Sequence, residues 1–417
     1  MQRPSIKHLP DPWRRAICDA AQKLGGRGFR AWIVGGAVRD LALGRIPKDA
    51  DLTSAAPPEV VEELFEKTHA VGKALGTVRV FLSGTELEVT TFRREGKYRD
   101  GRHPQQVEWG GSVEEDARRR DFTSNALFLD PLTDEICDPT GGLADIEAGR
   151  LRCVGNPMER FAEDGLRILR LARFAARFDW AVEPATLAAA ADGLAALRGV
   201  SAERVLAELQ SMGDGERPAR ALDILLRCGA LERLFPALKP SLEARCLAVE
   251  RHSPDGSPVG VALFLALFFF PVDEGPGRAE LEALRPSRVL TRTLEATWAL
   301  TLRLQQALAE ISLSRAARIR LVRSEVFRRA IHVLRAWQLL FDERELVRWE
   351  AFEAQLTQEE RFPTPWLSGA DLIALGVKPG PRYAAVLYAA EEHRLAGDHP
   401  SRETALAWLR GRVAEPD

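Results

Sequence analysis

The sequence predicts an α+β protein in which a small mixed sheet with helices is followed by an all-helical remainder. Two observations lead to this fold class. Runs rich in β-branched and aromatic residues fall between residues 29 and 131, with helix-like segments among them. From about Asn156 onward, apolar residues recur at helical spacing and the β-branched alternation disappears. A chain of 417 residues is also too long for one typical core, so two or more packed units are expected.

The first predicted elements form a strand, a turn and a helix. The apolar run FRAWIV, residues 29–34, is predicted to be a strand that ends at Gly35 and Gly36. The following AVRDLALG is predicted to be a helix that ends at Gly44, because glycine is favoured just past a helix C-terminus. A Pro-Pro pair then opens a second helix, EVVEELFEK, since proline in the first helical turn loses no hydrogen bond.

The next elements complete the sheet. TVRVFL at 77–82 and ELEVTTF at 86–92 flank a short Ser-Gly-Thr turn, which predicts a hairpin, and ALFLDP supplies a further strand from Ala126. Beyond the sheet, glycine- and proline-rich breaks at 213–215, 253–256 and 271–277 divide the helical remainder.

Composition excludes several classes of protein. The formal net charge of −2 predicts no general attraction to nucleic acid, so any RNA-binding surface must be local. The five cysteines are scattered, which disfavours a zinc site or a disulfide framework and fits a reducing cytoplasm. The longest apolar run, residues 260–270, is shorter than the ~20 residues that a membrane helix needs. No signal peptide is recognisable, and we expect a cytoplasmic protein without a membrane partner.

Two short motifs predict a phosphate and metal site. Gly35 and Gly36 lie between a strand and a helix, where the backbone can approach an anion, although such pairs are also common in simple tight turns. Asp49 and Asp51 follow, and on a strand two residues that far apart would point to the same side. A third carboxylate, Glu88, lies on the predicted hairpin. Carboxylates brought together favour a hard cation such as Mg²⁺, which suits two-metal phosphoryl transfer.

Five ordered motifs carry a resemblance to a known family. GGAVRD…KDADLTS resembles the first signature of the class II tRNA nucleotidyltransferase and bacterial poly(A) polymerase family. The stretches RRDFTSNA, DPTGGLADIEAGRLRCVGNP, RFAEDGLRILRLARFAARF and the ERxxxEL-like AERVLAEL follow in the family's order. Ser124 and Ala117 depart from the residues usual at those positions, and both changes concern packing more than chemistry.

The resemblance implies roles for specific residues. It implies a catalytic role for Asp49, Asp51 and Glu88, with Mg²⁺ held by the two aspartates. The implied nucleotide-binding residues are Gly35, Gly36, Arg39, Arg120, Asp121, Asn125, Glu163, Asp164, Arg167 and Arg170. Among these, Asp164 and Arg167 would select CTP or ATP by imitating a base-pairing edge, with Glu163 orienting the arginine. By itself, the charged stripe from Arg160 to Arg177 is more typical of a solvated helix face.

The resemblance also implies a domain order and partners. We expect a nucleotidyltransferase head at 1–155, a helical neck for nucleotide selection at 156–215, a helical body at 216–310 and a helical tail at 311–417. The implied partners are tRNA and the substrates CTP and ATP, with no obligate protein partner evident. In the tail, Arg315, Arg318, Arg320 and Arg323 are candidates for RNA binding, because only Glu325 opposes them nearby in sequence.

The expected activity is template-independent addition of CCA to the 3′ end of tRNA, with release of pyrophosphate. Addition of A alone to tRNA ending in CC is the main alternative. CC-only addition is less favoured because residues 91–104 resemble the full-length loop of complete enzymes. Poly(A) polymerase is less favoured because AVGKALGTVRVF resembles the tRNA-directed branch. An inactive RNA-binding protein would have no use for Asp49, Asp51 and the Asp164/Arg167 pair.

Overall fold

A computed structural model describes residues 2–70, 76–95, 107–271, 276–309, 313–339, 343–362, 364–377, 380–398 and 401–414. Packing divides the chain into two units. The first comprises Met1–Cys246, Ser253–Val261 and Gly275–Arg285, and the second comprises Leu247–His252, Ala262–Glu274 and Pro286–Asp417. This division does not follow the boundaries at 155, 215 and 310 that the sequence suggested, and those boundaries stay a prediction.

The first unit begins with the mixed sheet. Its strands are β1 (Ala31–Val34), β2 (Leu52–Ser54), β3 (Thr68–Ala70), β4 (Thr77–Leu82), β5 (Thr85–Thr91), β8 (Phe128–Leu129) and β9 (Ile136–Cys137), in the order β3-β4-β5-β2-β1-β8-β9. The pair β2–β5 is parallel and the other neighbours are antiparallel. The hairpin predicted at 77–92 is formed by β4 and β5. The short strands β6 (Arg93–Glu95) and β7 (Val107–Trp109) pair separately.

The sheet region contains five helices in its described part. They are α1 (Asp11–Gly25), α2 (Gly36–Ala42), α3 (Pro58–Leu64), α4 (Val113–Arg118) and α5 (Gly142–Glu147). Of these, α2 and α3 were predicted and α1, α4 and α5 were not. Helix α2 ends as expected, with Gly44 at a φ of 71°. Helix α3 stops at Leu64, before the predicted segment ends, because the backbone at Phe65 is extended.

Helices dominate the rest of the first unit, which confirms the predicted fold class. They are α6 (Pro157–Glu163), α7 (Leu166–Phe178), α8 (Pro184–Asp192), α9 (Ala202–Gly213), α10 (Pro218–Arg227), α11 (Ala230–Leu234) and α14 (Pro276–Ala283). Helix α12 (Leu242–His252) is divided between the two units, and α13 (Val261–Phe268) belongs to the second unit except for its first residue. One small exception is the parallel pair of β10 (Arg150–Leu151) with β11 (Ala181–Val182), which places a strand inside the predicted helical neck.

The second unit is helical throughout its described part. It contains α15 (Arg288–Ala309), α16 (Arg315–Val322), α17 (Phe327–Ala336), α18 (Glu343–Gln355), α19 (Gln358–Arg361), α20 (Gly369–Ala374), α21 (Pro381–Ala396) and α22 (Arg402–Ala414). Its cores are formed by aliphatic and aromatic side chains of α15–α18 and, separately, of α20–α22. In the described part of the chain, no helix combines the length and apolar character needed to cross a bilayer.

Candidate active site

The turn after β1 requires glycine at its first position. Gly35 has φ 70° and ψ −124°, a conformation that residues with a side chain rarely adopt. A Cβ atom there would also lie 3.2 Å from Nη1 of Arg120. Gly36 begins α2, so the predicted strand–turn–helix arrangement is present, with the Arg120 guanidinium beside the turn.

Asp49 and Asp51 lie just before β2, and the prediction that they belong to a strand was wrong. The strand begins at Leu52, and the first link to β1 is the bond from the Val34 N–H to the Asp51 carbonyl, 3.1 Å. Pro47, just upstream, has no N–H with which to extend a ladder. The two carboxylates therefore lie on an irregular segment that leads into β2, the middle strand of the sheet.

The charges around Asp51 indicate a shared electrostatic site. Burial, together with the neighbouring carboxylates of Asp49 and Glu88, raises the pKa of Asp51 to about 6, although Arg120 opposes this rise. The register explains why Glu88 is close, since Leu52 pairs with Val89 and Asp51 and Glu88 each come one residue earlier. These carboxylates repel one another, and a divalent cation bound between them would reduce that repulsion.

The donor set fits a hard metal ion that keeps ligand positions for substrate oxygens and water. Within the described residues, no cluster of three or more His, Cys, Asp and Glu side chains forms a complete metal cage. Glu88 is held by Arg79, whose Nε donates to its Oε1 at 2.9 Å, so this carboxylate is already oriented by the sheet. The role of Glu88 beyond its position stays a prediction.

A buried carboxylate, that of Asp116, orients the two arginines that begin the RRDFTSNA motif. The Asp116 side chain is fully buried, with Oδ2 accepting from Nε and Nη2 of Arg120 at 3.0 and 2.8 Å and Oδ1 accepting from Nε of Arg119 at 2.7 Å. Burial alone would raise the pKa of Asp116, but the two arginines outweigh it and lower that pKa. The sequence analysis did not select Asp116, although an acid three and four residues before two arginines on a helix is a recognisable signal.

The Asp121 carboxylate accepts hydrogen bonds from three different residues. It accepts from the Phe122 N–H at 2.8 Å, from Asn125 Nδ2 at 3.0 Å and from Arg170 Nε at 2.8 Å. Burial would raise the pKa of Asp121, yet Arg170 and these hydrogen bonds lower it to about 2. The structure therefore brings the predicted residues Asp121, Asn125 and Arg170 together and keeps the carboxyl ionised.

Arg39 is buried, and each of its three side-chain nitrogens donates a hydrogen bond within the protein. Nε and Nη2 donate to Oδ1 of Asp40 at 2.9 and 2.8 Å, Nη1 donates to Oδ1 of Asn125, and the guanidinium lies 4.5 Å from the ring centre of Phe178. These contacts link α2 to the residues around Asn125. The expected place of Arg39 near the nucleotide phosphates stays a prediction.

The expected continuous helix from Arg160 to Phe178 is interrupted. Helix α6 ends at Glu163, Asp164 is extended at φ −150°, and α7 begins at Leu166. The break is packed, since a Cβ atom on Gly165 would lie 2.4 Å from the carbonyl oxygen of Ala196. The single charged stripe predicted for this segment was therefore wrong, because its residues belong to two helices.

Glu163, Asp164 and Arg167, the residues expected to select the nucleotide, are each hydrogen-bonded to other side chains. Glu163 accepts from Nη1 of Arg167 at 2.6 Å, an arrangement of the kind expected if Glu163 orients this arginine, and Arg167 also donates to the Arg119 carbonyl at 3.0 Å. Asp164 binds Arg204, with Nη2 to Oδ2 at 2.6 Å. Arg204 belongs to the AERVLAEL stretch, and the sequence analysis did not select it as a site residue.

The tail arginines are largely paired inside their own unit. Arg315 Nη2 lies 2.8 Å from Glu360, Arg320 Nη2 lies 3.2 Å from Glu391, and Arg323 Nη1 lies 2.7 Å from Glu391. Glu325 was the acid noted near these arginines in sequence, but in the fold acids on α19 and α21 pair with three of them. Arg318 is exposed.

RNA binding by the tail arginines stays a prediction. The loop used to disfavour CC-only addition, residues 91–104, falls mainly outside the described residues, so that argument rests on sequence.

Comparison with known proteins identifies the family. Residues 31–152 match the Poly A polymerase head domain, and residues 179–242 match the probable RNA and SrmB-binding site of polymerase A. The chain is 32% identical over 404 residues to a CCA-adding enzyme of Levilactobacillus brevis, covering 96% of this chain and 98% of that one. It is 35% identical to a CCA-adding enzyme of Lacticaseibacillus paracasei, covering 94% and 95%.

A solved structure agrees with these matches. The crystal structure of the Bacillus stearothermophilus CCA-adding enzyme in complex with CTP has a TM-score of 0.72 and 29% identity, covering 97% of this chain and 98% of that chain. The likeness extends over both the sheet-containing region and the helices. The chain belongs to the family of CCA-adding enzymes, which are nucleotidyltransferases.

Proposed function

We propose that the protein adds CCA to the 3′ end of tRNA, using CTP and ATP and releasing pyrophosphate. One observation carries the proposal at the level of the site. A half-buried aspartate, Asp51, has a raised pKa, lies beside a second carboxylate and is close to an arginine, Arg120, that is fixed next to the glycine turn. Such a combination suits binding of a nucleoside triphosphate and a divalent metal ion.

Each group has a definite task in this proposal. The 3′-hydroxyl oxygen of the RNA forms a bond to the α-phosphorus, the bond to pyrophosphate breaks, and the hydroxyl proton passes to solvent. Mg²⁺ held by Asp49 and Asp51 would supply charge neutralisation and would lower the pKa of the hydroxyl. Gly35 and Gly36 allow the triphosphate to approach the backbone, and Arg120 offers it a positive charge.

Nucleotide choice is assigned to the residues at the break between α6 and α7. Glu163 holds Arg167 in one orientation, and Arg204 holds Asp164. A fixed donor and a fixed acceptor next to each other can discriminate base edges, as complementary side chains do elsewhere. We also place the enzyme in the cytoplasm, since its five cysteines are all free.

The test is nucleotide incorporation into three tRNA transcripts that lack CCA, CA or A, with Mg²⁺ and with CTP and ATP supplied separately and together. Completion of all three transcripts to CCA is expected. Extension of only the CC-ended transcript, and only by ATP, would establish A-only addition instead.

Variants of the same protein test the assigned groups. Asp49→Ala and Asp51→Ala should abolish incorporation, while Asp19→Ala, the same change at a helix position away from the site, should retain it. Arg167→Ala should lose discrimination between CTP and ATP more than total activity. Near-normal turnover by either aspartate variant would contradict the metal assignment, and an unchanged nucleotide preference in Arg167→Ala would contradict selection by protein side chains.

A further inference from the structure

A buried ion pair on α2 lies beside the glycine turn of the candidate active site. Arg39 and Asp40 are 3% and 5% exposed, and Nε and Nη2 of Arg39 donate to Oδ1 of Asp40 at 2.9 and 2.8 Å. A Cβ atom on Gly36 would lie 3.4 Å from Nη2 of Arg39. The ion pair therefore adjoins the place proposed for the triphosphate, although the reaction as described above gives Asp40 no task.

The Arg39 side chain is held in one position by the helices on both sides. Its guanidinium lies 5.3 and 4.5 Å from the ring centres of Phe174 and Phe178 on α7. Oδ2 of Asp40 lies 3.6 Å from Nη2 of Arg177 on the same helix. A buried ion pair adds little net stability, because desolvation offsets the attraction between the charges, but it can fix a single geometry. A positioning role therefore accounts for this pair better than a stabilising one.

The group that Arg39 positions is the side-chain amide of Asn125. Nη1 of Arg39 donates to Oδ1 of Asn125, and Nδ2 of Asn125 donates to Oδ1 of Asp121 at 3.0 Å. Arginine only donates hydrogen bonds and an ionised carboxylate only accepts them, so both neighbours require the same orientation of the amide. In the reverse orientation, two donors would face each other on one side and two acceptors on the other.

The orientation of the amide determines what Asn125 offers to a ligand. Its nitrogen carries two hydrogens, and in the part of the chain that the structure describes Asp121 is the only acceptor for them. One N–H is left for an acceptor, such as a hydroxyl or phosphate oxygen of a nucleotide. The backbone carbonyl oxygen of Asn125 would lie 3.5 Å from a Cβ atom on Gly35, which places this residue beside the turn.

We propose that Asp40 is a positioning residue for the nucleotide. It holds Arg39, and Arg39 fixes the amide of Asn125 with its nitrogen toward Asp121, which leaves one N–H for the nucleotide. This inference rests on the proposed function, because it concerns the nucleotide that the reaction consumes and the contact implied for Asn125. It gives Arg39 an indirect task in place of a direct contact with the phosphates.

The experiment is a double-mutant cycle in the full-length chain, with Asp40→Asn, Asn125→Ala and the two changes combined. The same cycle is run with Arg39→Met, which removes the donors that reach Asn125 but keeps an unbranched side chain against the aromatic rings. This second cycle also avoids leaving the Arg39 guanidinium buried without its carboxylate. The Kd values of CTP and ATP are measured by calorimetric titration with Mg²⁺, and the KM for a transcript ending in CC is measured in the addition of A.

Asp130→Asn is the control. Asp130 is also buried in the first unit, with its side chain 6% exposed, and it lies 2.6 Å from Nε of Arg30. Arg30 precedes β1, at the end of the strand away from the glycine turn. The control therefore removes the same charge from a buried carboxylate that is paired with an arginine, without a contact to Asn125.

Asp40→Asn and Arg39→Met should each raise the Kd of both nucleotides by about tenfold, the effect of losing roughly one hydrogen bond to the nucleotide. The KM for the transcript should stay at the wild-type value, as should every constant of the control. When Asn125→Ala is already present, neither change should raise the Kd further, because the group that is positioned has been removed.

A further tenfold rise in the Asn125→Ala background would overturn the inference, because the effects would then be independent. Unchanged Kd values with a lower melting temperature would also overturn it and would leave the ion pair a structural role. Failure of the wild type to bind CTP or ATP and to extend any transcript would instead reject the proposed function.

Discussion

At the scale of single residues, the candidate site consists of charged side chains whose positions are fixed by oppositely charged neighbours. Asp121 is held by Arg170 and Asn125, Arg167 is held by Glu163, and Arg120 is held by Asp116. Ionic hydrogen bonds of this kind are short and directional, so they limit the movement of long side chains. Asp51 is the exception, because its nearest charged neighbours include two further carboxylates.

The ionised Asp51 side chain should therefore lower the free energy of unfolding when no metal is bound. Its pKa is raised from 3.8 to about 6, so between these values the folded chain holds a proton that the unfolded chain has lost. This group accordingly lowers the free energy of unfolding as pH rises from about 4 through about 6. At a pH above 7 in a chelator, Asp51→Asn should raise the melting temperature while abolishing activity.

Adding Mg²⁺ provides the matching comparison for Asp51. The ion should raise the melting temperature of the wild type and have a much smaller effect on Asp51→Asn, because a ligand stabilises only the state that binds it. An Mg²⁺-induced shift of equal size in both proteins would contradict the placement of the metal at Asp51.

Asp116 should control affinity for the nucleotide through Arg120. Asp116→Asn keeps the size of the side chain but removes the charge that holds two guanidinium groups, so the KM for both CTP and ATP should rise by about tenfold or more. Asp145→Asn is the control, since Asp145 is also fully buried between two arginines, Arg150 and Arg152. Asp145→Asn should lower the free energy of unfolding by a comparable amount without the same rise in KM. Equal effects of the two variants on KM would show that Asp116 contributes only to the stability of the fold.

At the scale of elements, the break between α6 and α7 is what presents the selection residues. Gly165 allows Ala196 to approach, and Asp164 leaves the helical conformation and accepts from the Leu166 N–H at 3.0 Å. A continuous helix would have put Asp164 and Arg167 on one helix and would have denied Asp164 its extended backbone. The close approach at Gly165 therefore determines the geometry of the selection site.

Gly165→Ala should lower the free energy of unfolding by about 1–3 kcal/mol, since the added methyl group meets backbone atoms that cannot move aside easily. Gly25→Ala is a suitable control in the same unit, because a Cβ atom at this helical position meets nothing within 4 Å. Urea unfolding of both variants checks the prediction. Equal stability of the two would show that the region around Ala196 adapts to the added atom.

At the scale of the whole molecule, the two packed units differ in what they contain. Every residue assigned to metal or nucleotide lies in the first unit, and the arginines of the tail lie in the second. Large chains with more than one core often unfold in more than one step. The binding of a nucleotide should therefore stabilise the first unit against unfolding and leave the stability of the second unit unchanged.

Calorimetry should show two unfolding transitions, and CTP with Mg²⁺ should raise the melting temperature of only one of them. A ligand at about 100 times its Kd adds about 2.7 kcal/mol to the unit that binds it. The transition whose melting temperature CTP raises should be the one whose melting temperature Gly165→Ala lowers. Gly411→Ala is the control, because a Cβ atom at this position of α22 meets nothing within 4 Å, and it should leave that melting temperature unchanged. A single transition that CTP shifts as a whole would show that the two units unfold cooperatively.

Much of the fold and of the chemistry follows from local sequence patterns. These patterns predicted the β1–α2 turn, the β4–β5 hairpin and the helical remainder, because glycine conformations and apolar periodicity depend on residues close in the chain. The same local motifs identified Asp49, Asp51, Asp121 and Arg167 as candidates.

The partners of these side chains, in contrast, are set by the way distant segments pack. Arg315 finds Glu360 across 45 residues, Arg323 finds Glu391 across 68, and Gly165 meets a carbonyl of another segment. A cavity of about 780 Å³ is likewise lined by segments that lie far apart in sequence, among them those of Arg45, Arg173 and Gln210. Such contacts depend on how helices pack against one another, and that packing is a tertiary property that no local pattern records.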